Sequence, residues 1–520
     1  MRKAFQFHLV TWLATVVFCS CSQNTQPNDS STDLETGSKA SNIARIPAGE
    51  VMDDKITFEF AIYYLPTPAK EPLGELDALL KDRFKGFQKV EKIAPPKTGR
   101  AIAARVLTNV KEAYAPPSLD VLQRFGRGVS RQQAEAVQGS RSVLVLDFAH
   151  SREHVWDGMR SALELASALA RSTGGLLWDE ETRELFSPDE WDKRRIAEWT
   201  DKVPDISKHT VIHAYNTGEY VRAITLGMAK FGLPEIVIDN FSWSLNRNMG
   251  HVVNLFAQSL AEGATIKKDG EFDLDIKAIQ NYKVRESQIK SLKANATSVA
   301  LLSLKPGRWE EGDPKNRLIE ITFDRCAGPD AHSRQEKMLC ALFGWEDSVS
   351  PVRHDDKELL EASRRARAKL PALRKAFNSG LAPGEFIQVK ATFHAPDGEN
   401  EWMWVEITSW KGNKIRGLLR NEPYKIPKLH GGQAVDVLEE DSFVEVYGPK
   451  IPLEDIPRVT VTFGNLMVNG KPVKAKEVSA IYPKGVPDYA EAKGKDGTVV
   501  VTVGQAVENR KERKAVLIGK

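Results

Sequence analysis

Residues 384–440 pack alternating strands, three tryptophans and glycine turns into a short span. In 385–393, Ile387, Val389, Ala391 and Phe393 fall on one side and Gln388, Lys390 and Thr392 on the other, the pattern of a half-buried strand. The next strand, 402–410, places Met403, Val405 and Ile407 on one face. Trp402, Trp404, Glu406, Thr408 and Trp410 fall on the other. Gly412-Asn413 turns the chain into 414–420, Pro423 and Pro427 interrupt, and Gly431-Gly432 leads into 434–438. Short strands with glycine turns predict a small curved sheet or partly open barrel. A helix over 357–378 precedes it, with Leu359, Leu370, Leu373 and Phe377 on its apolar side and Pro371 expected to kink it.

The order VKATF, EWMWVEIT, GLLRNEP, GGQAVDV resembles the domain of unknown function 2314 over about 355–447. Its motif positions here are Lys390, Glu401, Trp402, Trp404, Glu406, Asn421, Glu422, Pro423, Gly432 and Val435. The resemblance implies no activity. From the residues alone, Trp402, Trp404 and Glu406 form a candidate binding face for a peptide, glycan or protein, since tryptophan offers a large, rigid contact area. The other reading makes that face interior. Glu401 with Glu406 is a candidate carboxylate pair that lacks a nucleophile.

The chain has 520 residues, enough for three or four domains. Lys and Arg number 73 against 70 Asp and Glu, a net charge of +3 that gives no global case for nucleic acid. Residues 1–21 read as a signal peptide: Arg2 and Lys3, an apolar stretch too short to span a bilayer, then Ser20-Cys21. Cys21 fits a lipobox, with lipidation at its thiol; the alternative is a plain secretory signal. The polar segment 22–50 is expected to be a flexible tether. The expectation is an exported protein whose soluble body is held by lipid in the periplasm or at the cell surface.

Domains are expected at 51–265 (an α+β layer domain), 296–350 (a linking hairpin and helix), 355–447 (a helix-plus-β domain) and 455–520 (a β extension). The fold class is α+β, multi-domain. The phrases TGGLLWDEETRELFSPDEW and LGMAKFGLPEIVI resemble the domain of unknown function 4261 over 56–262. Asp179, Glu180 and Glu181 read as a solvated turn near Arg183 rather than as an acid/base pair. Cys326 and Cys340 are a candidate disulfide, contributing about 3 kcal/mol by loop entropy. Free thiols are the alternative, and C-x5-H-x7-C around His332 makes no complete metal site.

No nucleophile elbow, phosphate loop or HExxH helix is present, and no cofactor is implied. The expected function is a non-enzymatic binding or scaffold protein of the envelope, its partner an unknown protein or envelope polymer. The alternatives are a hydrolase using His150, His154 or His213 with nearby carboxylates, and an immunity-type protein that neutralises a partner enzyme.

Overall fold

The computed structural model describes residues 44–344 and 366–439, apart from 95, 97, 98, 294, 329, 382–384, 397, 399 and 422. It also describes short strands between 442 and 519. The signal peptide, Cys21 and residues 22–43 of the tether lie outside the described residues. The tether gives way earlier than expected. Arg45 pairs with Asp324, and Gly49 bridges Ile266.

A first, seven-stranded sheet runs in the order β2-β3-β5-β1-β6-β7-β4. Its strands are β1 Lys55–Tyr64, β2 Phe87–Lys89, β3 Arg100–Leu107, β4 Gly126–Arg127, β5 Val143–Ser151, β6 Gly175–Asp179 and β7 Glu184–Phe186. Central β1 is buried on both sides, as its aromatic and β-branched sequence requires. Phe58, Phe60 and Ile62 pack toward α1 (Pro72–Asp82) and α5 (Val155–Thr173). Ala61 and Tyr63 face α2 (Val110–Ala113), α3 (Leu119–Phe125) and α4 (Arg131–Val137). Helix α5 ends on Gly174 in the left-handed conformation (φ 80°). Ser187 caps α6 (Pro188–Trp191) by accepting the Glu190 N–H.

The second sheet has the order β11-β12-β13-β10-β9-β8. It contains β8 Val211–Thr217, β9 Tyr220–Leu226, β10 Glu235–Phe241, β11 Glu271–Asp275, β12 Val299–Pro306 and β13 Leu318–Thr322. Helices α7 (Asn246–Ala261), α8 (Tyr282–Ser291) and α9 (Ala331–Phe343) accompany it. This revises the expected boundaries at 265 and 296. The supposed linking hairpin β12–β13 lies inside the sheet, because β13 pairs in parallel with β10. One apolar core runs through both units, from Phe60 and Leu146 to Ile236, Leu304 and Leu342.

The third unit is a five-stranded antiparallel sheet, β17-β16-β15-β14-β18, backed by α10 (Leu370–Asn378). Its strands are β14 Gln388–His394, β15 Asn400–Lys411, β16 Lys414–Leu419, β17 Ala434–Leu438 and β18 Ser442–Glu445. The helix is interrupted where Pro371 was expected to disturb it: Ala366 and Arg367 are helical, Ala368-Lys369 form a turn, and Pro371 sits in the first turn of α10, where its missing N–H has no helical partner to lose. Leu370, Leu373, Val389, Met403, Val405 and Ile415 form a core separate from that of the first two units. Beyond it, two small sheets follow, one of β19 (Val459–Thr462), β20 (Asn465–Val468) and β21 (Lys471–Val473), the other of β22 (Ser479–Ile481), β23 (Tyr489–Gly494), β24 (Gly497–Thr502) and β25 (Ile518–Gly519). Strands β20 and β21 pair antiparallel, Val468 with Lys471.

Candidate functional site: the docked face of the third sheet

The alternation along β15 holds as far as Ile407. Register then slips between Ile407, opposite Gly417, and Ser409, opposite Arg416. This bulge inserts one residue and inverts the parity beyond it. Trp410, expected on the outer face with Trp402 and Trp404, therefore turns into the core. It is 2% exposed, lies 6.3 Å from the Phe377 ring, and donates its Nε1–H to Glu439 at 3.1 Å.

The outer face is covered at its centre. Glu406 is 3% exposed, and its carboxylate accepts the backbone N–H of Trp243 at 2.9 Å and of Ser244 at 3.2 Å, just ahead of α7. Those amides have no intrahelical partner, so a carboxylate suits them. Opposite Glu406 in the sheet, Leu418 is fully buried. Around them, Arg420 donates to His332 and lies 3.7 Å from Glu336, and Arg416 meets Glu219 at 2.7 Å. His430 meets Asp330 at 2.9 Å. Burial beside Arg420 pushes His332 down to about 3, because a second positive charge there is unfavourable. Gly432, with φ +81°, lies so close to His332 that an added Cβ would fall 2.0 Å from the His332 Cβ.

Trp402 and Trp404 are half-buried beside this contact. The Lys390 ammonium stands 5.5 Å from the centre of a Trp404 ring, a cation–π arrangement, and Asn421 accepts the Trp404 N–H at 2.7 Å. Glu401 and Glu406 do not pair. An odd separation on a strand puts them on opposite faces, and Glu401 instead accepts the Tyr424 and Lys425 amides at 2.7 and 3.0 Å. The motif positions thus knit the sheet together; Glu422 lies outside the described residues.

The candidate histidines are not brought together. His150 is fully buried 5.1 Å from Phe58, with neither ring nitrogen hydrogen-bonded, and burial pushes it down to about 4. His154 meets Asp157 at 3.2 Å on the surface. His213 stacks at 5.1 Å on Phe125 in the second sheet, also pushed down to about 4 by burial.

Asp179 belongs neither to a solvated turn nor to an acid/base pair. It is fully buried, 2.5 Å from the Lys230 ammonium and 3.2 Å from Arg195. Burial alone would raise its carboxyl; the two cations outweigh that and hold it below its usual range. Arg195 gave no sequence signal, being an ordinary basic residue in the polar run DKRR, whereas Lys230 stands as the one cation inside the apolar run LGMAKFGLP, a signal that was available. Burial and the Asp179 charge push Glu181 up to about 8. Arg183 reaches the Gly312 carbonyl at 3.0 Å.

A second missed group surrounds Glu59, which faces Asp147 across β1 and β5. Arg105 donates to both, and Tyr114 donates to Glu59 at 2.8 Å. Burial, then the hydrogen bond with Asp147, push Glu59 up to about 7. The signal was available: one acid inside the apolar run ITFEFAIYY.

Cys326 and Cys340 are free thiols, each pushed up by burial. Cys326 lies under the influence of Arg334 in the first turn of α9, and Cys340 lies beside Glu336 further along it. The expected bridge between Cys326 and Cys340 is not formed in this structure. Among the described residues no group of three or more His, Cys, Asp or Glu is placed to hold a metal ion.

Residues 356–442, the third unit with its preceding segment, match the family described as an uncharacterized protein conserved in bacteria (DUF2314). The docked face lies within the matched residues. No curated protein and no solved structure matches the chain.

Proposed function

We propose that the protein is a non-enzymatic binding or scaffold protein of the bacterial envelope, tethered through lipid on Cys21. Residues 56–262 would be of the domain 4261 kind. The observation that carries the reading is the half-buried pair Trp402 and Trp404, set on a sheet whose neighbouring Glu406 is fixed by two backbone amides. Rigid aromatics on a rigid platform suit recognition, because little side-chain freedom is lost on binding. In-cell crosslinking tests it. Trp402→Ala with Trp404→Ala is expected to lose a partner that the parent captures while keeping the parent's circular dichroism; unchanged capture refutes the binding face. Cys21→Ala is expected to move the protein from the membrane to the soluble fraction.

A hydrolase is the second reading, and the Glu59–Asp147 pair favours it over the histidines. A carboxyl pushed up to about 7 beside a second carboxylate has the profile of a general acid. Turnover of ester, glycoside or peptide substrates that is lost in Glu59→Gln would establish it.

A further inference from the structure

The third unit carries its own apolar core, sharing no residue with the core of the first two units. The named contacts between them are polar: Glu406 with the Trp243 and Ser244 amides, Arg420 with His332, Ser242 and Glu336, Arg416 and Thr408 with Glu219, and His430 with Asp330. Several are open to water, with the side chains of Arg416, Glu219 and His430 exposed by 45%, 34% and 40%. Leu418 is the apolar exception on the outer face. Contacts of this kind resemble transient interfaces, for which relative movement is the ordinary expectation. On separation, water can solvate every polar group that the contact satisfied, Leu418 is exposed, and neither of the two separate apolar cores is divided.

We propose that this contact is an autoinhibitory clasp: α10 and the sheet β14–β18 detach as one folded unit and uncover the outer face, with Glu406 at its centre and Trp402 and Trp404 beside it. What the open face then binds rests on the binding role proposed above; the opening itself does not. In the closed state Glu406 and the start of α7 occupy one another, so a partner reaching the row Gln388–Glu406–Leu418 must first displace the body of the protein.

Hydrogen exchange on the full-length chain reads the opening without any partner. Raising NaCl from about 0.1 to about 1 M shortens the screening length from about 10 to about 3 Å. The amides of Trp243 and Ser244 are expected to exchange about tenfold faster at high salt, while β14–β17 keep their protection. Arg416→Glu is expected to speed exchange at low salt, and adding Glu219→Arg to restore the parent rate, because the pair is re-formed with its charges swapped. Unchanged exchange in both arms overturns the clasp, as does loss of protection throughout β14–β17, which would make the contact part of the unit's own fold. Crosslinking of Arg416→Glu then separates the two ideas. An opened chain that captures no more partner than the parent counts against the binding role and leaves the clasp standing.

Discussion

Glu235 shows how much of this molecule is decided one side chain at a time. It is fully buried and accepts from the Thr225 hydroxyl at 2.7 Å and the Asn316 amide at 3.3 Å. Burial outweighs these bonds and pushes its carboxyl from 4.5 up to about 7. Between those values the native state holds a proton that the unfolded chain has released. The stability from this group is therefore complete below about pH 4.5 and is lost as the pH rises through about 7, a change of roughly 3 kcal/mol. Glu235→Gln keeps an acceptor and cannot ionise. Its unfolding free energy, from urea titrations at about pH 5 and about pH 8, is expected to fall less with pH than the parent's. An equal fall would assign the dependence elsewhere, to Glu59, Glu181 or Glu320, which burial also pushes upward. Residue types and spacing could not disclose these values, because they depend on what the fold lays over each carboxyl. Trp410 was hidden for a similar reason: parity read along β15 is right until a bulge, and cross-strand register decides where the bulge falls.

Elements were far more legible, since their causes are local. The cap at Ser187, the stop at Gly174 and the alternation of β14 all follow from short-range rules. Pro371 acts locally too: helix ends at Arg367, turns through Ala368-Lys369 and resumes at Leu370, because the proline cannot continue the preceding turn's hydrogen bonding. The loop before β17 shows what local reading leaves out. Gly431-Gly432 announces a turn, yet the nearest obstacle to a side chain at Gly432 is His332, a hundred residues earlier in the chain. Gly432→Ala must adopt a left-handed conformation and displace α9 or the loop, costing about 2–4 kcal/mol. Denaturant unfolding followed by tryptophan fluorescence is expected to show a lower midpoint, with faster exchange at His332. A cost below about 1 kcal/mol would mean that the loop relaxes away from α9 with little strain.

Across the whole molecule, the partition was the least legible feature. The expected boundary at 265 falls inside a sheet because the β10–β13 pairing joins Glu235 to Leu318, and nothing local in either strand announces a partner so far along the chain. What then holds the first sheet to the second? Their shared apolar core supplies area. Asp179, at the end of β6, supplies position: it meets Lys230 in the turn before β10 and Arg195 after α6, all three at most 1% exposed. A buried ion pair contributes little against a well-packed apolar substitute, but removing one partner strands the other's charge. Lys230→Met and Asp179→Asn are each expected to lower stability by about 3–5 kcal/mol in denaturant titrations. The double variant should lose less than the sum of the two, since neither charge is then left facing an empty place; Arg195 keeps Glu184 at 2.8 Å. Simple additivity would mean that each side chain acts alone. A coupling above about 1 kcal/mol would identify the pair as the electrostatic staple between the two sheets.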